Sequence, residues 1–268
     1  MPELAEVEFN RKQWDAGLRH KVLRVELHPG TRLFRGTDLE ALASALTGAT
    51  YRGSAAHGKQ MLFRFSGGVW VGLHLGMTGH LRADGAEFKP ARHDHLVLVQ
   101  NRRTLVFSDP RQFGRVRFHR GRQAPEWWRQ LPPPVTSAEF TASRMSTFLR
   151  RHGRLAIKAV LLLQEGFPGL GNWMADEILW RSRIHPRTPA GAIVGRSLRR
   201  LWRAVRWVSR RALAIIGPDN SDLPRGWLCN ERWSASGVCP IHRIRLDRAV
   251  VGGRTTAWCA RCQKLTRR

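Results

Sequence analysis

The apolar positions at the start of the chain recur at helical spacing. Leu4, Val7, Trp14 and Leu18 fall on one face. Glu3, Glu6 and Glu8 lie in the first turns, where the positive end of a helix favours anions. This pattern predicts a helix over 3–18. A shorter one is predicted from a Thr37–Asp38 cap to Gly48, with Leu39, Leu42 and Leu46 inward. From Met61 to Phe118 the signal changes to strands. MLFRF, a Gly67–Gly68 turn and VWVGLHL read as one hairpin; HLVLV, Asn101–Arg102 and TLVF read as another. Trp127 to Val135 (WWRQLPPPV) reads as a linker, since consecutive prolines continue neither a helix nor an inner strand. Thr136 and Glu139 then form a candidate capping box, and the chain to about residue 216 reads as helical. Leu198, Leu201, Val205 and Val208 make an apolar stripe there, with Arg199, Arg203, Arg206 and Arg210 mostly off it. The fold class is α+β. A β-sandwich with flanking helices is expected over 2–126, a linker over 127–135, a helical domain over 136–228 and a cysteine-bearing segment over 229–268.

Composition adds a partner. The 268 residues carry 46 Lys and Arg against 20 Asp and Glu, a formal charge of +26. A preference for Arg over Lys can come from base composition, but an excess of this size points to a polyanion, most commonly nucleic acid. The arginine face of the last long helix is then either a solvated surface or a DNA contact. No apolar run reaches the roughly 18–20 residues of a membrane span. The opening MPELAEVEFN is acidic and unlike a signal peptide, so the expected location is the bacterial cytoplasm or nucleoid, with no membrane partner.

Three of the four cysteines lie in the last thirty residues. Cys239-Pro-Ile-His242 is followed, sixteen residues on, by Cys259-Ala-Arg-Cys262. Two ligand pairs at this spacing suit one tetrahedral Zn2+ ion on two turns. The sequence RIRLDRAVVGGRTTAW alternates like a hairpin turning at Gly252–Gly253, so a β-hairpin zinc finger is expected. Cys229 is the rival fourth ligand, but its nine-residue gap to Cys239 fits no common knuckle, and it reads as a buried or half-buried thiol. Four protein ligands leave no open position, so the metal is structural and catalysis must lie elsewhere. Within PGLGNWMADEILW, Gly169 and Gly171 permit tight turns and put Asn172 at a helix start. Such a start either binds phosphate through its free N–H groups or is an ordinary turn between helices.

Seven segments occur together in one order: MPELAEVE, HGKQMLF, HLGMTG, RHDH, DPRQFG, PGLGN with IHP, and the terminal finger. In this they resemble the formamidopyrimidine-DNA glycosylase and endonuclease eight family, from residue 2 to about 264. The resemblance implies a bifunctional glycosylase and AP lyase of base-excision repair, a monomer acting on double-stranded DNA with a damaged base or abasic site. It implies a helix-two-turns-helix motif in the helical domain. Pro2, exposed after removal of Met1, resembles the nucleophile. Its amine, with a pKa near 8, is partly neutral at pH 7 and can form an iminium Schiff base. Glu3 resembles the general acid and Glu6 a supporting acidic position; Lys59 resembles a β-turn lysine that contacts the phosphate flanking the lesion. Met77, Arg111 and Phe113 resemble the residues that fill the hole left by a flipped nucleotide. Asn172 and Arg254 match residues that grip the lesion's phosphates, Glu177 a further acidic position, and His74 and His93 two positions of the DNA-binding set.

The chain departs from the family in three places. Ala5 stands where proline is usual, and His242 replaces one cysteine of the usual four. The stretch Gly217–Gly226 lacks the usual threonine-rich loop over the everted base. Oxidised purines (8-oxoguanine and formamidopyrimidines), removed with β,δ-elimination, are the expected substrate. The alternatives are oxidised pyrimidines or bulky, alkylated or cross-linked bases, and, in another class, a non-catalytic protein that only binds damaged DNA.

Overall fold

A computed structural model describes residues 1–28, 30–85 and 87–265. The chain divides into two compact units. One is Met1–Pro2 with Glu6–Leu131; the other is Glu3–Ala5 with Pro132–Arg268.

The first unit is built on two four-stranded antiparallel sheets. Its elements are α1 (Leu4–Gln13, whose first two residues count with the second unit), β1 (Val22–Leu27), α2 (Leu39–Leu46), β2 (Tyr51–His57), β3 (Gln60–Phe65), β4 (Val69–His74), β5 (His80–Gly85), β6 (Asp94–Gln100), β7 (Arg103–Ser108), β8 (Arg115–Arg120) and α3 (Glu126–Arg129). The strand orders are β1-β6-β7-β5 and β2-β3-β4-β8. Both expected hairpins form: Phe63 pairs with Val71 across β3–β4, and Leu98 with Leu105 across β6–β7. Alternate inward residues of the two sheets, Met61, Phe63, Val71, Leu96, Leu98, Leu105 and Phe107, share one core. Trp14 is fully buried in it, its ring 4.7 Å from that of Phe63 and its indole N–H donated to the Val106 carbonyl at 3.2 Å. It sits in a short 3-10 turn, Trp14–Gly17, that ends the first helix. The second helix is capped as its sequence suggests, Asp38 accepting from the Ala41 N–H at 3.0 Å.

β1 and β2 lie before the Met61–Phe118 stretch that reads as strands, and β5 and most of β8 lie within it but outside its two hairpins. Tyr51–His57 and Arg115–Arg120 carry too many small or charged residues, and only pairing with β3 and β4 makes strands of them. The stretch beginning at Trp127 also changes character. Trp127 and Trp128 lie in α3 and belong to the first unit: Arg117 stacks over Trp127 at 4.7 Å, and His57 meets Trp128 edge-on at 5.8 Å. These aromatic contacts hold both half-buried tryptophans to the first unit, ahead of the linker-like prolines that follow.

The second unit is helical apart from one hairpin: α4 (Ala142–Arg151), α5 (Ile157–Leu161), α6 (Asn172–Ser182), α7 (Gly195–Asp219), α8 (Leu228–Glu231), β9 (Asp247–Val251) and β10 (Arg254–Trp258). No helix starts at the expected Thr136–Glu139 box. The cap is Thr141, whose hydroxyl accepts from the Arg144 N–H at 3.1 Å, because Thr136 lies in a turn whose carbonyl accepts from Arg210. Leu201, Val205 and Val208 of α7 are buried against Ile178 and Leu179 of α6, in a core that also takes Leu4 and Ala5. Arg206 and Arg210 of α7 donate to the Ser137 and Thr136 carbonyls, so part of the arginine face holds the 136–140 turn. No helix of the described residues is long and apolar enough to cross a membrane.

Candidate active site and zinc centre

In the second unit the opening residues are locked to the start of α6. The Glu3 side chain is buried, at 3% exposure. Its Oε2 accepts from the Gly171 N–H at 2.9 Å and the Met174 N–H at 3.1 Å; its Oε1 accepts from the Trp173 N–H at 2.9 Å. These are orphan donors of a helix start, and an anion there also meets the positive end of the helix dipole. The Leu4 N–H adds a bond to the Gly169 carbonyl at 3.0 Å. A Cβ on residue 171 would stand 2.3 Å from Glu3 Cδ, so glycine is required for this approach. Glu3 therefore caps a helix 170 residues away. Pro2, one residue earlier, is half-buried, as is Glu6.

Asn172, the first residue of α6, donates its side-chain amide to the Thr255 carbonyl at 2.9 Å, which ties the hairpin tip, with exposed Arg254, to the helix start. Beneath lies a buried ionic cluster that the sequence did not announce. Lys158 donates to Asp176 Oδ1 at 2.5 Å and to the Asn172 carbonyl at 2.7 Å. Arg232 donates to Asp176 Oδ2 at 2.7 Å and to the Thr255 carbonyl at 3.2 Å. Burial pulls the Lys158 ammonium below its usual pKa, and Asp176 opposes that. Lys158 and Asp176 sit among the apolar residues of their helices. A lone charge in an apolar run, as in LAIKAVLLL, was the available signal, because such a charge needs a partner. Glu177 is buried as well. Burial raises its carboxyl pKa to about 7, although Arg181 donates to it at 2.6 Å and the Cys229 N–H at 3.1 Å.

In the first unit, Lys59 stands in the tight β2–β3 turn with Gly58. His74 ends β4; its Nδ1 accepts from the Gly76 N–H at 3.0 Å, which leaves Nε2 to carry the proton. Burial, then the charges of Lys59 and Arg117, lower its pKa. Met77, at 38% exposure, and Phe113, at 52%, are displayed on two adjoining loops, and the Arg111 guanidinium lies 4.9 Å over the Phe113 ring. Gly76 has φ of +61°, and a Cβ there would meet the Phe113 carbonyl carbon at 2.4 Å. The organiser of both loops is Asp109, fully buried, which the DPRQFG motif does not by itself single out. Its carboxylate accepts from the Thr78 hydroxyl at 2.7 Å and from the N–H groups of Gly114 at 2.7 Å and Arg111 at 3.3 Å. An Asp before Pro at a strand end signals such a turn. The half-buried His93 contributes through its carbonyl, which accepts from the Asp109 N–H at 3.0 Å.

The third constellation is the metal site. Ligand atoms of Cys239, His242, Cys259 and Cys262 lie within 4.8 Å of one another. A tetrahedral zinc with usual bond lengths needs S···S edges of about 3.8 Å and S···N edges of about 3.6 Å. The Cys239–Cys262 edge is 3.8 Å, and His242 Nδ1 stands 3.2, 3.6 and 3.9 Å from Cys262, Cys259 and Cys239. The residues fit one structural zinc, with His242 as fourth ligand. Cys229 lies outside this group, in α8. The metal clamps the β9–β10 hairpin, which turns at Gly252–Gly253 as the sequence suggests.

A family model described as the formamidopyrimidine-DNA glycosylase N-terminal domain matches residues 1–116, and one described as its H2TH domain matches 131–221. A formamidopyrimidine-DNA glycosylase of Thermus thermophilus is 36% identical over 276 residues, covering 98% of each chain. One from Roseiflexus is 32% identical, covering 98% of this chain and all of that protein. The chain belongs to the formamidopyrimidine-DNA glycosylase family. Solved structures agree. Lactococcus lactis Fpg in complex with an oxidised-pyrimidine-containing DNA has a TM-score of 0.89 at 25% identity, and its complex with abasic-site DNA 0.87 at 25%; both cover 98% of this chain and 100% of that one. The expected α+β architecture is the family's own.

Proposed function

We propose that this chain is a bifunctional DNA glycosylase and AP lyase of base-excision repair, acting on double-stranded DNA in the bacterial cytoplasm and excising oxidised purines. The observation that carries the reading is the fixed carboxylate of Glu3. A carboxylate that takes a proton and passes it to the sugar ring oxygen must be held in place, and three backbone N–H groups hold this one next to Pro2 in the chain. After loss of Met1, the Pro2 amine attacks C1′ of the damaged nucleotide. The C1′–N bond to the base breaks and the base leaves with a proton; the Pro2 nitrogen gives up its proton, the C1′–O4′ bond opens with a proton passed by Glu3 to O4′, and the nitrogen lone pair makes the iminium. That iminium accepts the electron pair released when a C2′ proton is removed, and the 3′ phosphate departs. Lys59 contacts the flanking phosphate; Asn172 and Arg254 hold the backbone. Met77, Arg111 and Phe113 fill the vacated stack, and His74 and His93 support that surface. Glu6 and Glu177 position, rather than react. The zinc shapes the hairpin that carries Arg254.

Borohydride trapping on an abasic-site duplex tests this reading. A covalent adduct is expected with the native N-terminus and none with an N-terminally extended protein. An adduct that persists in the extended protein excludes Pro2. A panel of lesion duplexes tests the substrate: oxidised purines left intact while another base is cut would overturn that assignment.

A further inference from the structure

At the far end of α6 from Asn172, about 14 Å along the helix by its rise per residue, lies a pocket of about 390 Å³. Its apolar lining is Trp180, Ala204, Trp207 and Ile241, and its remaining lining is Arg181, Arg183, Arg200 and Arg203, with no acidic residue. Trp207 is 42% exposed and Ile241 57%. Arg181 is spoken for, since it pairs with Glu177 and stacks over Trp207 at 4.2 Å. Among the described residues, Arg183, Arg200 and Arg203 make no ion pair and no side-chain hydrogen bond, and all three are exposed. Arg183 ends α6 in the left-handed conformation, φ 54°, where glycine is the usual choice.

We propose that this pocket is a docking site for an acidic peptide segment of a partner protein, one carrying an aromatic or large apolar side chain beside carboxylates. The pocket suits insertion of one such side chain, and three uncommitted guanidinium groups can receive carboxylates in bidentate fashion. A nucleic-acid strand fits less well, because it stacks its bases on aromatic faces, and here Trp180 is 4% exposed while the Trp207 ring is stacked on Trp227 and crossed by Arg181. The site is independent of the glycosylase reading.

The test is fluorescence anisotropy with the zinc-loaded full chain and a labelled short peptide of Asp and Glu around one Phe. Salt-sensitive binding is expected. Arg200→Glu and Arg203→Glu should each weaken it about tenfold, and replacing the peptide's Phe by Ala should weaken it similarly. Cleavage of lesion duplex by these two variants should stay unchanged. The double variant Arg102→Glu, Arg103→Glu is the control for net charge and should retain binding. The proposal fails if the control loses binding as much as the pocket variants do, or if the pocket variants bind normally. It also fails if lesion duplex displaces the peptide, which would make the pocket part of the DNA surface.

Discussion

Changing Glu3 to Gln keeps the side chain's shape and removes one charge, and the hydrogen-bond geometry sets the expected cost. The carboxylate accepts three N–H groups, two at Oε2 and one at Oε1. A Gln amide has one oxygen and one NH2. With the oxygen at the Oε2 position two bonds survive, and the Trp173 N–H faces another donor. Losing one charge-assisted bond in a buried site costs about 1.5–3 kcal/mol. Removing the anion from the start of α6 costs about 0.3–1 kcal/mol more. Together these destabilise the second unit by about 2–4 kcal/mol. The assay is guanidinium denaturation at pH 7 followed by tryptophan fluorescence, since Trp173 sits on the affected turn. The midpoint should fall while the slope holds. Neutralising a catalytic carboxylate held in strain commonly raises stability instead. An unchanged or higher midpoint in Glu3→Gln would therefore refute the claim that this carboxylate is a helix cap. Base excision by the variant is a separate readout and should be lost whatever the midpoint does.

Lys158→Met leaves the buried Asp176 with Arg232 and the Ala257 N–H and should cost about 3 kcal/mol, the lower end for breaking a buried ion pair; calorimetry that finds no fall in Tm would contradict the assigned cluster. Zinc removal by a chelator should release the β9–β10 hairpin and abolish binding to abasic duplex. His242→Cys should still hold one zinc per chain by atomic absorption, whereas His242→Ala should not. The Glu177 carboxyl, held by burial at about 7, keeps a proton in the folded state that the unfolded chain releases near 4.3. Its contribution to stability is therefore complete below about pH 4.3 and is lost as pH rises to about 7, above which it stays flat. The stability of Glu177→Gln relative to the parent should accordingly improve from pH 5 to pH 8, and a constant difference would show that the carboxyl titrates normally.

Much of this protein is written locally. The β3–β4 and β6–β7 hairpins, the Asp38 cap and the zinc knuckles follow from residues close together in the chain, because turn geometry, side-chain alternation and ligand spacing are short-range properties. Order along the chain was enough to suggest the family, through motifs such as MPELAEVE and DPRQFG. The strands β2 and β8, by contrast, exist because β3 and β4 offer them partners, and Trp127 joins the first unit because Arg117 is there to stack on it. The second helical run starts at Thr141 and not at Thr136 for the same reason: the Thr136 carbonyl is taken by an arginine on α7, some 74 residues on. Glu3 shows the division most clearly. Local reading assigns its charge to the dipole of its own helix. Tertiary structure gives it the N–H groups of α6 as well, which glycine at 171 allows to come near. Which charge meets which dipole depends on distances across the fold, and spacing along the chain does not encode them.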